Sequence, residues 1–241
     1  MVNDSGSPAE IYLLETNGNF RGKVTLQGVP NRDWEELAIF SKSGISYLLV
    51  ADTGDNNATR KDCTLTAIRE PPLPVRGQAI DYRAIPEWQI RFQFPDGPRD
   101  CEAVSVDPVS DKIILISKRS DPPGVYELPL ASNRSDEISV AKRIGSLTIE
   151  KTGLSLIPYR DQPTGMSISG DGMTAAVVTY GNTYLYSRKP RESWGTAFGR
   201  VPVVLDAHRL AQAEAITFSK AGDRLWITTE GLNPRLRHYQ K

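Results

Sequence analysis

The sequence is poor in histidine and cysteine and has no long apolar run. It contains 2 histidines and 2 cysteines in 241 residues. Cys63 and Cys101 belong to no CxxC pair, so a zinc site of thiolate and imidazole ligands is disfavoured. A Ser-His-Asp hydrolase would depend on His208 or His238, which we expect to be surface residues. No apolar stretch reaches about 18 residues, so no transmembrane helix is predicted.

The chain also lacks an excess of charge of either sign. Its 29 Lys plus Arg residues balance 29 Asp plus Glu residues. A general polyanion binder needs a basic excess, so we expect no nucleic-acid partner. The opening segment MVNDSGSPAE has neither the basic nor the apolar region of a signal peptide. The composition is typical of a folded globular protein, and we expect a monomer.

Apolar residues alternate along most of the chain with a period of two. Segments such as SYLLVAD, AVSVD and TAAVVTY are typical of short strands, and SGDG and SKAGD between them are typical of tight turns. The single helix-like segment, AHRLAQAEA at 207–215, is weak. The alternation predicts an all-β fold.

An internal repeat narrows the architecture. Four segments, beginning near 33, 100, 162 and 212, each have a polar start, a strand, a tight turn, a second strand and a polar cluster. A spacing of about 50 to 67 residues is typical of propeller blades with long loops. The repeat predicts a β-propeller of four to five blades, made mostly of four-stranded antiparallel sheets.

The blades are assigned within one domain spanning 1–241. Residues 31–98, 99–160 and 161–208 form one predicted blade each. Residues 1–30 would supply outer strands, and 209–241 inner strands, of a blade shared between the two chain ends, which would remove exposed edges. This closure gives four blades, whereas an inner hairpin preceding residue 1 would make five.

The motifs resemble those of a bacterial β-propeller family of largely unassigned function. The family pattern appears here as NDSG, DWEELA, ADTGDN, PDGPRDCEA, SKRS, TGMSISGDG, VTYGN and EAITF…TTEG, in order along nearly the whole chain. Cys101 replaces the usual alanine, and the usual hairpin before NDSG is absent. More distantly, the pattern is similar to calcium-dependent propeller hydrolases: gluconolactonases, paraoxonase-like lactonases and propeller phytases. The resemblance implies an extracytoplasmic protein.

The polar clusters of the repeat are predicted to converge at one mouth of the central channel, because inner strands begin where second strands end. Crowded carboxylates there favour a bound cation, and oxygen ligands without histidine or cysteine favour Ca²⁺. The candidate metal ligands are Asp33, Glu35, Asp55, Asn56, Asp100, Glu102 and Glu214. The glutamates among them, Glu35, Glu102 and Glu214, are the candidate catalytic residues. The candidate substrate-binding residues are Asp4, Lys118, Arg119, Tyr180 and Glu230.

Three functions remain open on this pattern. The first is a metal-dependent hydrolase of an ester, lactone or phosphoester. The second is a propeller that binds a small molecule, glycan or peptide without chemistry. The third is a structural ring in which Arg32, Arg99, Lys118 and Arg119 neutralise the carboxylates. Asp33 and Asp100 would then bond turn backbone, and the segment 52–56 would form a tight turn.

Overall fold

The protein is an all-β, five-bladed β-propeller. The computed structural model describes residues 1–3, 5–130, 137–151, 158–231 and 234–240. Within these ranges the helical content is one short helix, α1 (Trp194–Phe198). The strands, numbered along the chain, are β1 (Glu10–Leu14), β2 (Phe20–Leu26), β3 (Trp34–Lys42), β4 (Ile45–Asp52), β5 (Cys63–Arg69), β6 (Ile80–Ala84), β7 (Trp88–Gln93), β8 (Ala103–Asp107), β9 (Lys112–Ile116), β10 (Gly124–Pro129), β11 (Ser139–Val140), β12 (Lys142–Ser146), β13 (Pro163–Ile168), β14 (Thr174–Thr179), β15 (Thr183–Ser187), β16 (Val203–Val204), β17 (Ala213–Phe218), β18 (Arg224–Thr229) and β19 (Leu236–Gln240).

The described strands form five sheets. Their strand orders are β1-β2-β6, β3-β4-β5-β7-β11, β8-β9-β10-β12, β13-β14-β15-β16 and β17-β18-β19. The first strands of the last four sheets lie side by side, with β3 beside β8, β8 beside β13 and β13 beside β17. These four inner strands therefore line the channel, and each is hydrogen-bonded to the next strand in an antiparallel hairpin.

Each blade packs on the next through alternating apolar residues. On β5, Cys63, Leu65 and Ala67 join the core shared with the third sheet, whereas Ile68 joins the core shared with the first. Further cores lie between the third and fourth sheets and between the fourth and fifth. The period of two in the sequence thus places successive side chains in two different interblade cores.

The inner strands are also joined by polar side chains. The Glu36 carboxylate accepts a hydrogen bond from the Met166 backbone N–H at 3.1 Å. The Ser105 hydroxyl accepts one from Ile168 at 3.1 Å, and the Ser167 hydroxyl accepts one from Phe218 at 3.2 Å. Side chains from one inner strand therefore satisfy backbone donors on another, where no further strand is available to pair with them.

The predicted fold class and the five-blade alternative are confirmed, and three details differ. In the described part of the chain, β1, β2 and β6 form one sheet, and β17, β18 and β19 form another. The two chain ends therefore contribute to separate sheets. The first sheet takes its third strand, β6, from the segment between β5 and β7, whereas β19 follows β18 directly; two separate three-stranded sheets thus replace the predicted shared blade. Residues 207–215 are not helical. The C-terminal residues Leu236–Gln240 form β19, a strand that the sequence pattern did not indicate.

Candidate functional site

The channel mouth is formed where inner strands begin and second strands end. The Gly54 backbone N–H donates to the Asp33 carbonyl at 3.2 Å, and the Lys118 N–H donates to the Asp100 carbonyl at 2.8 Å. The Glu230 N–H makes the corresponding bond to Gln212 at 3.1 Å. Closure of each hairpin by this bond brings the two polar clusters of a repeat together, as predicted.

Three predicted ligands form a carboxylate triad at the mouth: Glu35, Asp100 and Glu102. One oxygen of each lies within 4.8 Å of the others. Asp100 and Glu102 are buried, and Glu35 is half-buried. Burial raises the pKa of Glu102 to about 7; the charges of Asp100 and Glu214 add to this effect, and Lys118 opposes it. The triad therefore concentrates negative charge in a poorly solvated place.

Asp33 and Glu35 lie against the backbone of Gly54. A Cβ atom at residue 54 would stand 2.3 Å from both Asp33 Oδ2 and Glu35 Oε1. Such a separation is far inside van der Waals contact. Glycine at this position therefore lets two carboxylates approach the end of β4.

Lys118 is the main cation of the mouth. Its Nζ atom donates to Glu102 Oε1 at 2.6 Å and to Oε2 at 2.5 Å, and its side chain is 3% exposed. The same Nζ lies 3.4 Å from the Tyr180 hydroxyl. That hydroxyl donates to Glu214 Oε1 at 2.8 Å. A polar chain therefore runs from the triad across the third, fourth and fifth blades.

Glu214 lies at the far end of this chain rather than in the triad. Burial raises its pKa to about 7, the Tyr180 hydrogen bond opposes the rise, and Glu230 adds to it. Burial and the bond to Glu214 raise the pKa of Tyr180, which therefore stays protonated. Both glutamates with raised pKa values sit in positions to exchange protons near neutral pH.

Asp55 and Asn56 are engaged by the loop that contains them and by Arg119. The Asp55 carboxylate accepts the backbone N–H groups of Thr59 at 2.9 Å and Arg60 at 2.8 Å. The Asp55 N–H donates to Asp100 Oδ1 at 3.0 Å, and the Asn56 side-chain oxygen accepts from Arg119. These interactions are those of the tight-turn interpretation for this segment.

The four cationic residues weighed in the sequence behave differently. Arg119 donates to Asp100 Oδ2 at 2.7 Å and stacks on the Tyr159 ring, and Lys118 holds Glu102. The side chains of Arg32 and Arg99 instead pair with Asp62 and Asp96, respectively, which are not members of the triad. Of these four residues, Lys118 and Arg119 therefore contact the triad, through Glu102 and Asp100.

Glu36 is a buried carboxyl that the sequence reasoning missed. It is 6% exposed and accepts backbone N–H groups of Leu37 and Met166. Burial raises its pKa to about 8, although these hydrogen bonds oppose the rise. The available signal was a glutamate at the place where the second repeat carries the apolar Ala103.

The remaining candidates have plainer positions. Asp4 lies outside the described residues. Glu230 is exposed at the end of β18. His208, expected at the surface, is buried, and both cysteines are buried free thiols. Within the described ranges, no helix is long and apolar enough to cross a bilayer.

Comparisons with known proteins support the fold. No family model matches the chain, and no curated protein matches it. The structure is similar to a periplasmic gluconolactonase of Pseudomonas aeruginosa, with a TM-score of 0.50, 15% identity, and coverage of 99% of this chain and 66% of that one. It also matches the hydrazine synthase of Kuenenia stuttgartiensis with a TM-score of 0.44, 16% identity, and coverage of 89% of this chain and 49% of that one. The chain thus spans less than two thirds of these structures.

Proposed function

We propose that the carboxylate triad binds Ca²⁺ and that the channel mouth hydrolyses an ester, a lactone or a phosphoester. The observation that carries this proposal is that one carboxylate oxygen of each triad member lies within 4.8 Å of the other two. Calcium binds oxygen at about 2.3–2.6 Å, so two ligands of one ion lie up to about 5 Å apart. The triad oxygens are within that span.

The donor set fits a hard cation. The triad and Asp33 offer carboxylate oxygens, whereas the thiol of Cys101 lies in the interblade core, near the carbonyl of Ile116. Calcium accepts such all-oxygen sites with flexible geometry. Lys118 holds both oxygens of Glu102, so binding by all three triad members requires one of those hydrogen bonds to open. A bound ion would supply polarisation of a substrate oxygen.

The protein's own groups match the other needs of hydrolysis. Glu214, with a pKa of about 7 and outside the triad, suits proton transfer at neutral pH. Lys118 is placed to hold an anionic oxygen of the substrate beside Glu102. The structural likeness to a periplasmic gluconolactonase makes lactones the first substrates to try, and an extracytoplasmic location the working expectation.

The metal proposal is tested by thermal unfolding in EDTA and then in millimolar Ca²⁺. Free Ca²⁺ at about a hundredfold over Kd would stabilise the folded state by about 2.7 kcal/mol, which is a midpoint shift of several degrees. Glu35→Gln, Glu102→Gln and Gly54→Ala should remove the shift. The matched control is Glu127→Gln, which changes a carboxylate of β10 that pairs with Lys112 of β9. This variant should keep the Ca²⁺-dependent shift. No shift with Ca²⁺, Mg²⁺ or Mn²⁺ would contradict the proposal.

The catalytic part is tested separately on lactone, aryl ester and phosphoester panels with Ca²⁺ present. Activity should disappear in Glu102→Gln and persist in Glu127→Gln. A Ca²⁺-dependent shift without turnover of any panel member would contradict hydrolysis. That result would favour a mouth that binds a small molecule, glycan or peptide without chemistry.

A further inference from the structure

A polar cavity, separate from the channel mouth, lies at the interface of the first two blades. Its volume is about 630 Å³, and it is bounded by the 28–32 connection, the 52–62 loop and the strands β5 and β7. Ligand pockets of proteins commonly measure about 300–1,000 Å³. The cavity is therefore of a size to hold a molecule such as a monosaccharide.

The wall of this cavity changes from charged to apolar along the second sheet. Asp52, Thr64 and Arg91 are paired across β4, β5 and β7 in one row. The next row pairs Thr66 with Gln89, and the row beyond contains Ile68, which is buried in the interblade core. Polar side chains thus occupy positions where the rest of the interface packs apolar residues, which is how binding sites fix a polar ligand.

The charges around the cavity are unbalanced. Four cationic side chains line it, whereas two carboxylates do: Arg32, Arg60, Lys61 and Arg91 against Asp52 and Asp62.

One carboxylate serves two of the arginines. Asp62 accepts from Arg91 at 2.8 Å and from Arg32 at 3.4 Å. Burial opposes ionisation of Asp62, but both arginines outweigh it and lower its pKa. Asp62 is therefore an anion already, and it leaves a net positive wall that suits an anionic ligand.

Arg60 adds a donor that the protein leaves unused. Its Nη1 donates to the Gly54 carbonyl at 2.7 Å, and its Nη2 lies 2.6 Å from Asp52 Oδ1. Its Nε atom is buried and has no hydrogen-bond partner among the described residues. Asp52 Oδ1 is likewise buried without a hydrogen-bond partner, so the Arg60–Asp52 contact leaves a donor and an acceptor unpaired among the residues that line the cavity.

We propose that this interblade cavity binds a small organic anion of monosaccharide size, held through its carboxylate or phosphate by Arg60 and Arg91. Thr64, Thr66 and Gln89 offer hydroxyl and amide groups for hydroxyls of the same ligand. The site is distinct from the carboxylate triad, because it has the opposite charge and lies between other strands. Arg60 also holds the carbonyl of Gly54, so both sites share the 52–60 loop.

Calorimetric titration of the full chain in low salt, after metal ions have been removed on a chelating resin, tests the site. The probes are D-glucuronate, glucose 6-phosphate and neutral D-glucose. At least one anion should bind, and glucose should bind about tenfold more weakly, as expected from one lost charge-assisted contact. The anion that binds better identifies the head group.

Two variants and one control decide the assignment. Arg60→Gln and Arg91→Gln should each weaken anion binding by about tenfold or more. Arg69→Gln is the control, because Arg69, at the end of β5, pairs with Glu87 and neither residue lines the cavity. If Arg60→Gln does not fold, the half-exposed Arg91 still provides the test. Absence of binding by both anions, equal binding of glucose, or unchanged binding in Arg91→Gln would overturn the proposal. Because metal ions are removed beforehand, failure of the calcium proposal leaves these outcomes unaffected.

Discussion

Asp33–Glu35 and Asp100–Glu102 occupy the same place in successive blades, yet the protein treats their charges differently. In the second blade, the backbone donor to Asp33 belongs to Gly54, which has no side chain. In the third, the equivalent donor belongs to Lys118, whose ammonium group holds Glu102. One hydrogen-bond position thus decides whether a repeat brings its own cation. In the third blade a cation of the same repeat therefore contacts the glutamate of the inner strand, whereas the equivalent position of the second blade carries no side chain.

The largest expected effect comes from removing the cation of the third blade with Lys118→Met. This change leaves Glu102 buried without its partner, and the loss of one member of a buried pair costs about 3–5 kcal/mol. Urea unfolding at pH 8 should show this loss. It should be smaller at pH 5, because Glu102, with a pKa of about 7, is then protonated.

The double variant Lys118→Met/Glu102→Gln is the control for this prediction. It removes both charges and should recover most of the lost stability. A single variant that loses less than about 1 kcal/mol would behave like an exposed pair, and would show that Lys118 does not distinguish the two blades.

Glu36, next to Glu35 in the second blade, should make the stability of the protein depend on pH. Burial raises the pKa of Glu36 to about 8 in the folded protein, so between about pH 5 and 8 the folded state binds a proton that the unfolded state has released. Stability should therefore fall as the pH rises through this window, by about 1.4 kcal/mol per pH unit for this group. Glu36→Gln should flatten the slope in chemical unfolding measured at several pH values.

Glu102 and Glu214 have raised pKa values as well and contribute in the same direction. A residual slope is therefore expected in Glu36→Gln. A slope equal to that of the original protein would contradict a protonated Glu36, whereas Glu127→Gln should leave the slope unchanged.

The smallest effect is expected from Arg119→Gln. The Arg119 side chain is 29% exposed, and its pair with Asp100 is partly screened by solvent. Loss of such a pair costs about 0.2–1 kcal/mol in urea unfolding. Arg99→Gln is the comparison variant, because Arg99 is about as exposed as Arg119 but its partner Asp96 is 27% exposed, against 2% for Asp100. A loss of stability as large as that of Lys118→Met would contradict this prediction, because it would show that Arg119 and Lys118 stabilise the protein equally.

Much of the fold could be predicted from the alternation of apolar residues, because successive side chains of a strand point into two different interblade cores. AVSVD, for example, coincides with β8. The strands that the sequence missed, such as β6 and β19, carry exposed residues on much of their length and have weak alternation. The shared blade was predicted from the need to cover edges; instead, β6, from within the segment 31–98, pairs with β2, and β19 pairs with β18.

The candidate site was predictable in place but not in detail. The repeat puts Glu35, Asp100 and Glu102 at one mouth, and the hairpin bonds bring them there. Pairing depended on side-chain direction: Lys118 reaches Glu102, whereas Arg32 and Arg99 turn to other partners. Asp55 could not be separated from the ligands, because turn-forming and metal-binding aspartates have similar sequence contexts. The cavity of Arg60 and Arg91 draws on residues from three segments, so no single motif marks it.

The hydrogen bonds from Glu36, Ser105 and Ser167 to backbone donors of other inner strands have a consequence for self-association. An inner strand exposes one side of its backbone to the channel, and an unsatisfied strand edge is a template on which another chain can add. Occupying those donors with side chains from within the same chain blocks that template. We therefore expect these polar contacts, which join inner strands of different blades, to hinder edge-to-edge association between chains as well.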